Sequence, residues 1–571
     1  MTSSTRHPAT ATSPVVTGEL ASQPFSQNIV QLTQAEHIEL KWNGNYWKRQ
    51  HEHLKKQNEE LKQALELTHA KIRDLEQRLY GKKSEKGTTR RDTPPGDCSA
   101  SSRSRGQQKG SKGHGRTPRP DLPVVEEERD VAAEDKECCI CGKAYGLLAQ
   151  TEDSRIIEVQ VKAHVRLIRR KMYTQACECD GVPGLITAPP APRLMPKSAA
   201  GISIWAEVLL NKFLFSRATY NLCTEYSYRG LPLAPGTLTG GLKRITPLFN
   251  PLIAQLVEKQ LSEELFHNDE TGWKVFEAIE GKVGYRWYLW VTQSPSVVYY
   301  AMAPSRSGDI PIDHFSGLDK RLEQVIVVCD RYSGYKRLAR ENAVVLLAFC
   351  WAHVRRDFLD AAKSWPDLQA WMLSWVEMIG ELYSLNAQRL EQWDEAQALE
   401  DQTPAFMERH HALEQTIEQM GECCDRELEK QSLHVAQRDV LNSLKNHWPG
   451  LTVFVQSPQV PMDNNVAERR MRNPGMGRKN YYGSGSQWSA ELAAMMFSLF
   501  QTVLLWKLNP HHWLYSYLTA CAENGGRPPA DLSPFLPWEM SEERKQQLAK
   551  PMQMTAAGSP VSEQPSPPLP P

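Results

Sequence analysis

Three acids in this 571-residue chain stand where they could hold a divalent cation against a polyanion. Asp269 follows Glu264-Leu265-Phe266-His267-Asn268, and Asp330 follows Val325-Ile326-Val327-Val328-Cys329. Each is expected just past the carboxyl end of an apolar strand, where open α/β sheets gather their ligands. Glu468 lies in Asp463-Asn464-Asn465-Val466-Ala467-Glu468-Arg469-Arg470-Met471-Arg472, which reads as a helix. The chain is then expected to turn into a glycine-rich basic loop at Gly477-Arg478-Lys479-Asn480-Tyr481-Tyr482-Gly483-Ser484-Gly485-Ser486. Carboxylate oxygens are the ligands Mg²⁺ prefers, and neighbouring cations gain from counterion release on DNA. The combination points to metal-dependent chemistry on DNA phosphodiesters. Taken singly, each acid has an ordinary explanation: a turn residue for Asp269 or Asp330, an i,i+4 partner of Arg472 for Glu468. The three together, each beside basic sequence, are much harder to explain that way. Asp463 is assigned to capping the helix through its side-chain oxygen.

The flanking sequence indicates what must position these acids. Aromatic and β-branched runs at 285–291 and 297–302 make a three-stranded meander with the strand before Trp273. The uninterrupted apolar run 325–329 is a buried strand of the parallel type. Val344 to Phe349 is another, followed by Cys350-Trp351-Ala352-His353-Val354-Arg355-Arg356. The stretch 357–450 is helical and polar, with Trp365, Trp371, Trp375 and Trp393 as anchors. Strands, a crossover, two further strands and a late helix describe a mixed α/β sheet at 263–525 with a helical insertion at about 360–450.

The length exceeds what one core usually serves, so the chain is expected to be multidomain. Lys+Arg and Asp+Glu both total 67, so only local charge is informative. Residues 1–35 are Ser/Thr/Pro-rich and expected to be disordered. Across 36–81, Leu54, Leu61, Thr68 and Leu75 fall on one seam position and Asn58, Leu65, Ile72 and Leu79 on the other, which argues for a self-associating coiled coil. Residues 82–122 form a basic, flexible linker. Between Lys82 and Pro120 eleven Lys/Arg face three acids, a bias that suits sequence-independent contact with phosphates.

Within 123–187, Cys138 and Cys141 precede Cys177 and Cys179, with short strands expected at 156–161 and 165–168. Two thiolate pairs joined by a hairpin are what a tetrahedral Zn²⁺ needs, so a small zinc-ribbon-like, DNA-binding module is expected. Cys139 is a competing thiol and His164 an alternative ligand. Helical periodicity at 202–215 and 237–260 makes 188–262 a helical linker domain, and 526–571 reads as a Pro-rich tail. Twelve cysteines without an export signal imply a reduced, cytoplasmic protein. The apolar run 492–506, broken by Ser498, Gln501 and Thr502, reads as a buried helix, not a membrane span.

These segments together resemble the transposases of the insertion-sequence 66 family, DDE-type enzymes with an RNase H-like core. The matching motifs are Asp269-Glu270-Thr271-x-Trp273, Cys329-Asp330-Arg331-Tyr332-Ser333-Gly334-Tyr335, Cys350 to Arg356, Asp463-Asn464-Asn465-x-x-Glu468-Arg469, and Gly477-Arg478-Lys479-Asn480. The likeness covers about residues 40–528, with Tyr481-Tyr482-Gly483 standing where many relatives carry a Trp-Leu-Phe-like run.

The resemblance implies that Asp269, Asp330 and Glu468 form a catalytic triad holding Mg²⁺ or Mn²⁺, two ions, besides one structural Zn²⁺. The implied reactions are strand cleavage at the ends of an insertion sequence and strand transfer. Expected partners are DNA (terminal inverted repeats and target), further copies through the coiled coil, and small accessory proteins of the element. His353, Arg355, Arg356, Asn464, Arg469, Arg472, Arg478 and Lys479 are expected to contact DNA or support the site, with Arg470 among the cations of the helix. Two other readings stay open: a catalytically inactive, transposase-derived dimeric DNA-binding protein, and another RNase H-like nuclease.

Overall fold

The computed structural model describes residues 31–80, 140, 143, 163–174, 185–280 and 284–551. The chain divides into two units, one ending at Lys83 and one beginning at Ser84. The first contains helix α1 (Gln34–Tyr80). Thr33 and Glu36 start it reciprocally: Glu36 N–H donates to Thr33 Oγ1 at 3.3 Å, and Thr33 N–H to Glu36 Oε2 at 2.9 Å. The seam residues Leu54, Leu61, Leu65, Ile72 and Leu75 are all exposed.

Among the described residues the first strands of the second unit are a short antiparallel pair, β1 (Met172–Thr174) and β2 (Leu185–Thr187). Among the described residues strand pairing begins at Met172, four residues after the strand expected at 165–168. Cys138, Cys139, Cys141, Cys177, Cys179, the strand expected at 156–161 and the basic linker 82–122 lie outside the described residues. Helices α2 (Ile202–Leu209), α3 (Thr219–Tyr228), α4 (Pro235–Ile245) and α5 (Asn250–Gln260) follow, α2 running into a π-helix at Leu210–Leu214.

The central sheet has five strands: β3 (Leu265–Lys274), β4 (Arg286–Gln293), β5 (Val298–Ala303), β6 (Val325–Cys329) and β7 (Val345–Phe349). Their spatial order is β5-β4-β3-β6-β7. The first three form an antiparallel meander, while β6 pairs parallel to β3 and β7 parallel to β6. Helix α6 (Asp309–Phe315) lies in the first crossover and α7 (Ser333–Glu341) in the second. Side chains alternate between faces. Val325, Val327 and Cys329 belong to the core shared with Tyr335 and Leu338 of α7, whereas Ile326 and Val328 join the core of the helical insertion. Both faces being covered explains why β6 is apolar at every position.

The insertion comprises α8 (Trp351–Ser364), α9 (Gln369–Leu390), α10 (Pro404–Glu429), α11 (Val435–Asn446), α12 (Trp448–Leu451) and α13 (Val453–Gln456). Trp375 is buried in its core beside Phe358 and Met372, while Trp365 and Trp371 are half-buried. Its one fully buried cation, Arg389, donates to Asn386 Oδ1 and to the carbonyls of Phe454 and Val455, the last two at 2.9 Å. The guanidinium thereby satisfies carbonyls that α13 is too short to use.

After the insertion come α14 (Asn465–Tyr481), α15 (Gln487–Leu505), α16 (Pro510–Glu523) and α17 (Glu542–Ala549). Among the described residues α15 is the helix long and apolar enough to cross a membrane, yet twelve of its residues are buried against the sheet and its neighbours. The polar residues that interrupt its apolar run have a structural role. Thr502 Oγ1 accepts from Val298 N–H (3.0 Å) and Ser498 Oγ from Tyr300 N–H (2.8 Å). An edge strand is thus closed by helix side chains one turn apart. The helices of 202–260 share one core with this side of the sheet and with α15 and α16. Order extends past 525: Phe535, Leu536, Met540 and Leu548 are buried in that core, so the tail expected from residue 526 is folded as far as 551.

Candidate active site

Asp269 lies inside β3, not after it. The strand is long because β4 pairs with it as far as Lys274, whereas its parallel pairing with β6 is His267↔Val328 at the last step. Carrying that register two residues further brings Asp269 level with Asp330, which directly follows β6. Both therefore stand where the parallel half of the sheet ends. By the period of two, Asp269 points to the same face as His267, and Asp330 to the same face as Val328. That face carries α8 and α14.

Helix α14 is clamped to β3 along its length. Asp463 Oδ1 accepts from Asn465 N–H at 3.0 Å, ordering the turn just ahead of the helix; the N-cap position is Asn464, one residue later than expected, and its side chain makes no capping bond. Asn464 is buried (2% exposed): its Nδ2 donates to Asn268 O at 2.7 Å and its Oδ1 lies 3.3 Å from His267 Nδ1. Burial pushes His267 down to about 4, so at neutral pH it is an uncharged imidazole, with Nδ1–H as the donor to the amide oxygen. Further along, Arg478 donates to Thr271 Oγ1 (3.1 Å) and to the Gly272 carbonyl.

The helix runs through Gly477-Arg478-Lys479-Asn480 to Tyr481, so the loop expected from Gly477 to Ser486 is confined to 482–486. The helix ends at Tyr482 in the left-handed region, and Ser484 N–H donates to Lys274 O at 2.8 Å. Gly483 has φ +141° and a Cβ there would sit 2.2 Å from Lys274 O, so a side chain would break this join. Pro474, inside the helix, cannot bond the carbonyl of Arg470, which accepts instead from Tyr300 Oη–H at 2.9 Å. These clamps set Glu468, in the first turn of α14, against the Asp269–Asp330 end of the sheet.

The electrostatics reflect that convergence. Burial lifts the Asp269 carboxyl to about 7, with further upward pressure from Glu270, Asp330 and Glu468, opposed by the Glu270 N–H that bonds its Oδ1 at 2.9 Å. His353 Nε2 stands 3.9 Å from Glu468 Oε1, and its Nδ1 is buried without a partner. Burial and Arg356 lower its pKa although Glu468 and Asp330 oppose them. Asp330 Oδ1 accepts from Tyr332 N–H at 2.9 Å, ordering the turn into α7.

Three contributors were not singled out from the sequence. Glu270 points to the opposite face from Asp269, where Tyr335 Oη donates to its Oε2 at 2.7 Å and Arg306 Nε to its Oε1 at 2.8 Å. It ties the strand of Asp269 to the helix after Asp330. Its adjacency to Asp269 was the available signal; Arg306 offered none. Tyr383, on α9 of the insertion, lies within the field of Asp463 and Glu468.

Among the described residues no group of three His, Cys, Asp or Glu side chains closes to metal-binding distance. The donor chemistry nevertheless fits a hard cation: three carboxylates share one field, and Asp269 is held partly neutral by burial first, then by Glu270, with smaller contributions from Asp330 and Glu468.

Residues 197–492, just over half of the chain, match the family described as Transposase IS66 family. The chain belongs to this transposase family. All the motifs just described lie inside the matched segment, which ends within α15. Similar to this transposase-family chain are the uncharacterized proteins y4jD and y4hP of Sinorhizobium fredii (strain NBRC 101917 / NGR234). Each is 25% identical, over 78% of this chain and 85% of the relative, and over 74% and 76%, respectively.

The expected DNA-contact residues of this transposase-family chain differ in exposure and bonding. Arg356, Arg469, Arg472 and Lys479 are exposed. Asn464 and Arg478 bond within the protein, as does Arg470, whose Nε and Nη1 reach Gln293 and Gln501 at 2.7 and 2.9 Å. Arg355 is half-buried on α8.

Asn464→Ala leaves the Asn268 carbonyl and His267 Nδ1 without their partner. It should cost about 2 kcal/mol of stability in urea unfolding, and DNA cleavage should fall further than DNA binding. Unchanged stability would show that α14 is not held at this end by Asn464.

Proposed function

We propose that this chain cleaves DNA at the ends of an insertion sequence and joins those ends to target DNA. Asp269, Asp330 and Glu468 would hold Mg²⁺ or Mn²⁺, two ions in the full reading. The observation that carries it is the convergence of these acids, from β3, the end of β6 and α14, into one electrostatic field. A meander followed by two parallel strands on its far side supports an RNase H-like core.

Such ions, when bound, would activate an attacking oxygen and offset charge on the leaving one. The chain's own contribution is positional. The Glu270–Tyr335 and Glu270–Arg306 bonds keep Asp269 and Asp330 in register, and the α14 clamps bring up Glu468. Arg469, Arg472 and Lys479, exposed on α14, would seat the phosphodiester backbone. Neutral His353 has a ring nitrogen near Glu468 with which to orient a phosphate oxygen. In strand transfer a 3′-OH takes the place of water, and no covalent protein intermediate is needed.

The exposed seam of α1 supports self-association, which would allow two ends to be held together. A structural zinc on the four cysteines, accessory proteins of the element and a cytoplasmic location belong to the same reading.

The test is direct. Full-length protein with Mg²⁺ and labelled element ends should nick them at the element boundary, and EDTA should abolish nicking but not binding. Binding without cleavage under all divalent metals would favour the inactive DNA-binding reading; cleavage of RNA–DNA hybrids alone would favour a different nuclease.

A further inference from the structure

The turn that carries Phe215 is built with more constraint than its exposure would lead one to expect. It follows the π-helix Leu210–Leu214, a conformation common at functional sites. Phe215 N–H donates to Leu210 O at 3.0 Å, and the next residue, Ser216, holds φ +56° although it is not glycine. Ser216 is buried and tied twice to α14: its Oγ donates to Asn473 Oδ1 at 2.8 Å, and Asn480 Nδ2 donates to its carbonyl at 2.8 Å. A third bond runs from Asn473 Nδ2 to Phe213 O at 2.9 Å. Phe215 itself is 63% exposed. A rigid, strained turn therefore presents an aromatic ring to solvent, where burial would be worth far more to the fold.

Its place on α14 suggests what the ring meets. At 3.6 residues per turn, Asn465, Arg469, Arg472, Met476 and Lys479 form one exposed stripe. Glu468 lies on one flank of that stripe, and Asn473 and Asn480, which hold the turn, lie on the other. Along the axis these two anchors are about 7 and 18 Å beyond Glu468, a span of a few nucleotides. A strand whose phosphates follow the cations has the acids on one side and the ring on the other.

We propose that Phe215 is a stacking platform for an unpaired DNA base a few nucleotides from the scissile phosphate. This rests on the DNA-cleavage reading above. Aromatic rings beside a cationic track bind single strands with little sequence preference, because every base has a π-face. Among macromolecular partners the charge of the stripe selects a polyanion, and the ring selects one with unstacked bases.

The probe is single-stranded DNA of about 20 nucleotides with one 2-aminopurine, titrated in EDTA against full-length protein. Wild type should change the 2-aminopurine emission on binding. Phe215→Ala, melting as wild type, should lose that change and bind about five- to hundredfold more weakly, while Phe215→Trp restores both. If Phe215→Ala binds and perturbs the base as wild type does, the proposal is overturned. It is equally overturned if the variant's only change is a lower oligomeric mass by sedimentation, which would make Phe215 a subunit contact. A wild type that stacks the base but never cleaves sinks the cleavage reading and leaves this one standing; normal cleavage with an indifferent Phe215→Ala does the reverse.

Discussion

Asp269→Ala, Asp330→Ala and Glu468→Ala should each lower Mg²⁺-dependent nicking of element ends by at least about 10³-fold. DNA affinity measured in EDTA should stay within about threefold, because phosphate contacts, not carboxylates, supply it. The three acids come from separate segments, so an equal loss from all three would be the signature of one site. The structure also supplies controls. Asp463→Ala removes an acid only five residues before Glu468 whose oxygen bonds Asn465 N–H. It should cost about 1 kcal/mol of stability and leave cleavage within about tenfold of wild type. Retained cleavage in any triad variant, or equal loss in Asp463→Ala, would dismantle the assignment. Glu270→Gln should fall between these extremes, since it keeps an acceptor for Tyr335 but loses the charge facing Arg306.

Without divalent metal, Asp269→Asn should stabilise the protein. Burial and neighbouring carboxylates raise Asp269 from 3.8 to about 7. Between those two values the folded chain keeps a proton that the unfolded chain has released, so stability falls as pH rises through that window. The full effect above pH 7 approaches about 4 kcal/mol as an upper bound. Removing the charge with Asn retains an acceptor for the Glu270 N–H and removes the penalty. In EDTA at pH 8 the variant should melt several degrees above wild type, with the difference shrinking toward pH 4. Added Mg²⁺ should then raise wild type more than the variant, because a cation relieves the same repulsion. A variant that melts at or below wild type in EDTA would mean that Asp269 does not carry this burden.

Much of the scaffold was legible because its signals are local. Continuous apolarity marked β6 and β7 as strands, of which β6 is buried throughout while Leu346 of the edge strand β7 is exposed, and the aromatic and β-branched runs marked the meander. The same locality misled at α14. A glycine-rich, basic composition suggested a loop from Gly477, yet the helix continues to Tyr481, because Tyr300 takes up the carbonyl that Pro474 strands and Arg478 bonds back to β3. At the C-terminus, composition suggested a tail from residue 526, while Phe535, Leu536, Met540 and Leu548 fill a core whose other wall is formed by distant helices.

The sequence by itself determined the residue types of the site: three acids, their strand and helix contexts, and the family motifs that contain them. Periodicity and composition suffice for that, since they act over a few residues. Which side chains face one another was decided by the tertiary structure alone. The parallel register of β3 and β6 levels Asp269 with Asp330, and α14, nearly 200 residues from β3 in sequence, is held there by Asn464 and Arg478. The same packing separates cations of one motif into protein clamps, Arg470 and Arg478, and free ones, Arg469, Arg472 and Lys479. Their sequence neighbourhoods are almost alike. Burial, which distinguishes them, is set by surfaces that meet only when the chain is folded.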